Sequence, residues 1–281
     1  MKISKIDSHQ HFWKYSTVSH SWISDEMSTL KKDYLPEDLK VCLKGIDFDG
    51  CVAVQADQSE EETEFLIELA NDNPFIKGVV GWIDFRADDI ESRLKYFKQF
   101  PIVKGFRHVV QDELDDEFLL GEKFMRGISL LAKYGFTYDI LILAKHLKVA
   151  NEFVTHFPTC PFVIDHIAKP DIKSQNIKEW RDDIFEISKH ENVLCKLSGM
   201  VTEADWKDWT DVQILPYVDT ILEAFGWERV MIGSDWPVCT LAGSYQKVMN
   251  VVMNRIESLP EEQQEAILGG NAMNFYNLNN D

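Results

Sequence analysis

The sequence predicts an α/β fold of one domain, a closed (β/α)8 TIM barrel spanning residues 1–281. Three observations carry this. Eight short apolar runs, β-branched or aromatic-rich, recur along the chain and mostly end in polar residues. Between them lie longer stretches with apolar residues at helical spacing. The length, 281 residues, suits one barrel, for which about 250 is typical. Strands alternating with helices in this number favour closure over an open sheet.

The strand candidates are 2–8, 50–55, 76–84, 102–108, 136–142, 162–165, 193–197 and 230–233. Residues 12–44 form an extended loop after strand one. It carries Trp13, Trp22 and Tyr34, exceeds a simple βα connection, and is expected over the barrel mouth. The stretch 60–73 places Phe65, Leu66, Leu69 and Ala70 on one helical face. The stretches 88–100, 122–134, 144–156, 176–190, 212–225 and 244–258 read the same way. Ser258-Leu-Pro-Glu-Glu offers a cap, a Pro near the first turn and early acids, so a last helix runs to about Asn274. Gly269-Gly270 predicts a kink or break within it. No linker or internal repeat interrupts the chain, and only 277–281 reads as frayed.

Composition excludes several classes. Lys and Arg number 29 against 47 Asp and Glu, a formal charge of −18. Such a field repels nucleic acid and anionic membrane surfaces. No apolar run approaches the ~18 residues of a membrane span, and the first residues, MKISKIDSHQHFW, contain no signal-peptide core. A cytoplasmic protein is expected, with no nucleic-acid or membrane partner; a homo-oligomer is compatible. The five cysteines are odd in number and form no C-x-x-C, which argues against a disulfide framework or zinc ribbon. No G-x-S-x-G or Gly-rich phosphate loop occurs.

Residues at the C-terminal ends of barrel strands line the active site. Strand one ends in Asp7-Ser-His9-Gln-His11. Alternation puts His9 and His11 on one side, where two imidazoles can chelate a metal or donate to one substrate oxygen. His166 follows strand six, beside Asp165, which either orients an imidazole or caps the next segment. Strand eight ends in Ser234-Asp235-Trp236-Pro237, leaving Asp235 at its tip, where a carboxylate can bind metal or take a proton from water. Strand four ends in Arg107-His108. Arg107 suits a carboxylate or hydroxylated ligand, yet the two have opposite parity, and a salt bridge to the acidic loop 112–117 competes. Asp139 on strand five is expected to bond sugar hydroxyls or hold Arg107. Gln55 and Asp84 are weaker candidates of the same kind, and Ser198 lacks an obvious partner base in sequence.

These motifs carry a likeness. The stretches IDSHQHFW at 6–13, KGFRHVVQDE at 104–113, FVIDHIAKP at 162–170, CKLSGM at 195–200, IGSDWPVCTLAGSY at 232–245 and GGNAMNFYNL at 269–278 run from end to end. The chain resembles the amidohydrolase-related branch of the amidohydrolase superfamily, and within it the hydrolases of L-fucono- and L-rhamnonolactone type. The resemblance implies a distorted barrel that hydrolyses a sugar lactone, a small-molecule substrate. It implies a core site of His9, His11, His166 and Asp235, with Arg107, His108 and Trp22 as substrate contacts; Lys169 and Trp236 are further candidates to orient or pack on the ring. Many superfamily members bind two metals through a lysine late on strand four. Here Lys104 opens that strand, and Asp139 stands near the place of a strand-five histidine. The expectation is therefore one divalent metal, zinc by its donor set, held by His9, His11, His166 and Asp235, or no metal at all. Two other readings stand beside lactone hydrolysis: a metal-dependent decarboxylase or hydratase of the same barrel, and a non-catalytic sugar-binding barrel.

Overall fold

The computed structural model describes residues 4–278. Eight parallel strands, β1 (Ile6–Gln10), β2 (Gly50–Val54), β3 (Ile76–Gly81), β4 (Val103–Val109), β5 (Thr137–Leu141), β6 (Phe162–Ile164), β7 (Val193–Leu197) and β8 (Val230–Ile232), pair in sequence order. Closure comes from the β1–β8 side: Asp235 N donates to His9 O at 2.8 Å and His11 N to Trp236 O at 2.7 Å. The same bonds explain a difference from expectation. The first strand starts at Ile6 rather than Lys2 and extends through His9 to Gln10, because β8 and the segment beyond it supply a partner there. Residues 1–3 and 279–281, and with them the first two positions expected in strand one, lie outside the described residues.

The outer layer comprises α1 (Pro36–Gly45), α2 (Glu60–Asp72), α3 (Ile90–Phe97), α4 (Glu122–Ile128), α5 (Leu131–Tyr134), α6 (Leu147–Thr155), α7 (Lys178–Ile187), α8 (Asp211–Phe225), α9 (Tyr245–Ile256), α10 (Glu261–Glu265) and α11 (Asn271–Phe275). The helix expected at 122–134 is two, split at Ser129-Leu130. The long loop after β1 contains a helix of its own, α1, started by Pro36 at its first turn with Glu37 and Asp38 following. A π-turn at 266–270 joins α10 to α11. Gly269 is required there: a Cβ would stand 1.9 Å from Ser4 O.

Apolar residues between sheet and helices form the main core. A smaller cluster fills the lower barrel. Val52, Val54, Val80, Val163 and Met231 point inward from the strands, and α11 seals the end with Met273 and Tyr276. Burial stops being apolar above that plug, and the polar layer beneath the mouth begins.

Candidate active site

His9 and His11 share one side of β1, with ring centroids 5.0 Å apart. His11 Nδ1 is 2.8 Å from the Val54 carbonyl oxygen, which can only accept, so that nitrogen carries a proton. Its Nε2 faces Asp235 Oδ1 at 3.3 Å. Asp235 takes a left-handed φ of 57° just past β8. On its other side His166 Nε2 lies 3.9 Å from Oδ1. All three side chains open onto one cleft of about 480 Å³ at the barrel mouth.

The chain after β6 is unusual. His166, Ile167, Ala168 and Lys169 all take φ between 46° and 61°, at about 1–2 kcal/mol per residue. Burial compensates: Ile167 and Ala168 are fully enclosed, and Trp180 Nε1 donates to Ile167 O at 2.8 Å. The turn aims His166 at Asp235 and returns Lys169 to the cleft wall. Ser198 Oγ, 2.9 Å from His166 Nδ1, fixes the ring. Ser198 is buried and does not line the cleft, so it orients and does not attack. Gly199, at φ +62°, leaves room for the imidazole: a Cβ there would stand 2.4 Å from His166 Nδ1.

Directly below lies an ionic layer. Lys196, fully buried on β7, is 2.5 Å from Asp139 Oδ2 and 2.9 Å from Asp165 Oδ1. Its Nζ is also 3.2 Å from His9 Nδ1. Tyr276 donates to Asp139 at 2.7 Å. Arg107 Nη1 reaches both His9 Nε2 at 3.2 Å and Asp165 Oδ2 at 3.0 Å. Its Nε and Nη2 go to the Gln55 side chain, at 3.2 Å and 2.7 Å, and Nη2 also to Gln55 O. These five contacts match the five N–H donors of a guanidinium. Two cations and two carboxylates balance, which leaves His9 neutral.

The pKa pattern follows from burial and these partners. Burial, with Lys196 nearby, holds His9 well below the usual imidazole range; burial does the same to His166. Burial pushes the Asp235 carboxyl up, but His166, the His11 hydrogen bond and the Lys169 ammonium outweigh it and hold it below the usual range. Asp165 also lies well below, since Lys196, His9 and Arg107 overcome its burial. Asp139, buried with fewer donors, rises to about 6. The site thus offers lone pairs on two imidazoles and an ionised carboxylate.

The sequence expectations sort as follows. His11, His166, Asp235, Lys169, Arg107 and Trp22 border the cleft; His9 lies just beneath, fully buried. Arg107 faces inward, but its donors are spent on Gln55, His9 and Asp165, so it braces the floor and has none left for a ligand. His108 faces the helix layer, stacked on Phe118, accepting from Trp82 Nε1 at 3.1 Å and bonded to Glu113 at 2.7 Å. The competing acidic-loop reading therefore describes His108, which does not line the cleft. Asp139 sits on Lys196, does not line the cleft and makes no ion pair with Arg107. Trp236 is buried against Phe12 and Tyr34 rather than facing the cleft. Asp84 pairs with Arg86 at 2.9 Å. Lys104 bonds Asn277 O at the other end of the barrel. Sequence reasoning missed Lys196; the signal was a lysine inside the apolar run Val193-Leu-Cys-Lys196-Leu, where a buried charge requires partners. It also missed Glu203, on the short loop after β7.

Two clusters of donors stand close enough to share a metal. His9, His11 and Asp235 place one ligand atom each within 4.8 Å of one another, as do His9, Asp165 and His166. His11 Nε2 and Asp235 Oδ1 face each other at 3.3 Å, a contact that a shared proton or a cation would bridge. The residues fit one divalent ion. They do not fit two: the one lone pair of a neutral His9 faces Arg107 Nη1 at 3.2 Å, and its other nitrogen, carrying the proton, lies 3.2 Å from Asp165 Oδ1.

A (β/α)8 barrel with imidazoles and an ionised carboxylate converging at its C-terminal mouth belongs to the class of barrel hydrolases. The chain is a member of the amidohydrolase family, whose profile matches residues 6–278. It is 38% identical to an L-fucono-1,5-lactonase of Burkholderia multivorans, over 98% of this chain and 96% of that one. An L-fucono-1,5-lactonase of Burkholderia ambifaria is 31% identical, over 98% and 96%. A crystal structure of a Burkholderia multivorans amidohydrolase with bound zinc superposes with a TM-score of 0.95, at 37% identity, covering 98% of this chain and all of that one. Among the described residues, no helix is long and apolar enough to cross a membrane.

Proposed function

We propose that the protein hydrolyses a sugar lactone, L-fucono-1,5-lactone or a close relative, to the aldonic acid. The observation that carries this is Asp235, an ionised carboxylate between His11 and His166 on the floor of a cleft sized for one sugar. The 38% identity to a lactonase over nearly the whole chain supports the same reading.

Asp235 removes a proton from water as the oxygen attacks the ring carbonyl. A carboxylate with a depressed pKa is a weak base, but it is fully ionised at neutral pH, and a lactone is an activated ester that asks little of it. His166 and His11, fixed through Ser198 and Val54 O, border the place where the oxyanion forms, and a proton on an Nε2 can be donated there. Lys169 makes no ion pair with a described residue and supplies positive charge for that oxygen and then for the product carboxylate. Trp22, half-turned into the cleft, offers an apolar surface to the ring. A bound divalent ion, zinc by donor type, would be held by Asp235, His11 and His166, and would polarise the carbonyl.

The test is acid release from L-fucono-, L-rhamnono-, D-arabinono- and galactono-lactones, followed with a pH indicator, before and after dialysis against chelator. Asp235→Asn should abolish turnover while leaving the melting temperature unchanged. A protein that binds lactones without releasing acid, or an Asp235→Asn variant that stays active, overturns the assignment.

A further inference from the structure

Ring opening needs two proton transfers. Water must lose a proton as it attacks, and the ring oxygen must gain one as the carbon–oxygen bond breaks. Asp235 answers the first need. A second carboxyl borders the same cleft: Glu203, on the 3-10 turn Val201–Glu203 that follows β7. β7 neighbours β8 in the barrel, so this turn stands beside the segment that carries Asp235. The Glu203 backbone is pinned, its N donating to Met200 O at 3.2 Å and its O accepting from Lys173 N at 3.0 Å. Its carboxyl makes no hydrogen bond or ion pair with any described residue, although the side chain is largely enclosed.

The surroundings of the two carboxyls differ. Asp235 has two imidazoles against it. Glu203 has Lys169 and Asp171 on the segment after β6, and Asp235 after β8. Asp205, on its own loop, is paired with Lys173 at 3.2 Å. Asp57 and Asp112 contribute negative charge elsewhere on the cleft wall. Burial pushes the Glu203 carboxyl up, and the nearby acids add to that against Lys169. One carboxyl is held ionised while its neighbour is held toward the protonated form, the arrangement that separates a base from an acid.

We propose that Glu203 is the acid of the reaction, donating its proton to the ring oxygen as the tetrahedral intermediate collapses. Water's first proton goes to Asp235 and its second stays on the new hydroxyl. Collapse re-forms the carbonyl and breaks the bond to the ring oxygen, which takes the Glu203 proton. The product carboxylic acid then returns a proton to Glu203 and leaves as the aldonate, and Asp235 releases its proton to solvent. The inference rests on the lactonase reading.

The experiment is the pH dependence of kcat and KM for Glu203→Gln and Glu203→Asp on the lactone the unaltered protein opens best. Glu203→Gln should lower kcat by about 10²–10⁴-fold with little change in KM, and lose the alkaline limb of the profile. Glu203→Asp should recover part of both. Unchanged kcat, a loss confined to KM, or an alkaline limb that survives in Glu203→Gln overturns the role of Glu203 and leaves the lactonase reading intact. An unaltered protein that opens no lactone overturns both.

Discussion

Lys196→Met is the substitution with the most to say about the site floor. Methionine keeps most of the stem and removes the charge. The two carboxylates beside it, Asp139 and Asp165, are fully buried, and the remaining cation, Arg107, contacts Asp165 but not Asp139. Breaking a buried ion pair from one side costs about 3–5 kcal/mol, because it strands the other charge. That is a large share of the 5–15 kcal/mol that holds a folded domain together.

The cost should depend on pH, and the sign follows from Asp139. Its folded pKa, about 6, is already above the ordinary carboxyl value of 3.8. The stability this group contributes is complete below 3.8 and is lost as pH rises through 6. Without Lys196 the carboxyl holds its proton to still higher pH, so the loss continues past 6. If it persists to pH 8, the further loss is two units, or about 2.7 kcal/mol. The assay is urea unfolding followed by tryptophan fluorescence at pH 6 and pH 8. Lys196→Met should unfold earlier at both and fall further behind at pH 8. The double variant Lys196→Met, Asp139→Leu removes the stranded charge and should recover much of the loss. A Lys196→Met variant within about 1 kcal/mol of the unaltered protein at both pH values would refute the ionic floor as a structural necessity.

Two further outcomes are expected. Gly199→Ala puts a Cβ 2.4 Å from His166 Nδ1 at a left-handed φ; displacement of the imidazole by even 1 Å should cost about 10²-fold in kcat, and unchanged kcat would separate His166 from catalysis. Glu62 is buried, its Oε2 accepting from Ala56 N at 2.9 Å and Asp57 N at 2.7 Å, and burial pushes it up to about 8. Its contribution to stability is complete below 4.5 and is lost as pH rises to 8. Glu62→Gln keeps an acceptor for both amides and cannot ionise, so it should match the unaltered protein near pH 4.5 and exceed it by about 5 kcal/mol above pH 8; parallel melting curves across that range would refute it.

Much of the architecture was legible in the sequence because barrel strands are short, apolar and evenly punctuated. All eight were placed, and His11, His166 and Asp235 were recognised from their positions at strand tips. What escaped depended on contacts that no local pattern encodes. The start of β1 is set by pairing with the segment after β8. The left-handed turn at 166–169 carries no glycine to announce it; buried Ile167 and Ala168 sustain it. Parity left Arg107 and His108 open at the sequence level, since only the packing of Phe118 and Trp82 decides which enters the helix layer. The helix α1 did have a signal, Leu35-Pro-Glu-Asp, of the same kind that marked Pro260.

The same contacts sharpen the metal question. From sequence, the argument against a binuclear centre was an absence: no lysine late on strand four. The structure supplies a positive reason. Arg107 Nη1 and Lys196 Nζ each stand 3.2 Å from a different nitrogen of His9, and both belong to a charge-balanced network with Asp139 and Asp165. A second metal at His9 would have to displace the buried Arg107 guanidinium from Nε2, or the His9 proton beside Asp165 at Nδ1, and would leave a buried charge without its partner. A single ion held by His11, His166 and Asp235 would displace neither cation, and the groups there are a neutral imidazole at His166 and an ionised carboxylate at Asp235. The fixed cations therefore perform below the floor the charge neutralisation that a second metal would perform elsewhere, and they leave the cleft side of the imidazoles as the place where an exchangeable ion would fit.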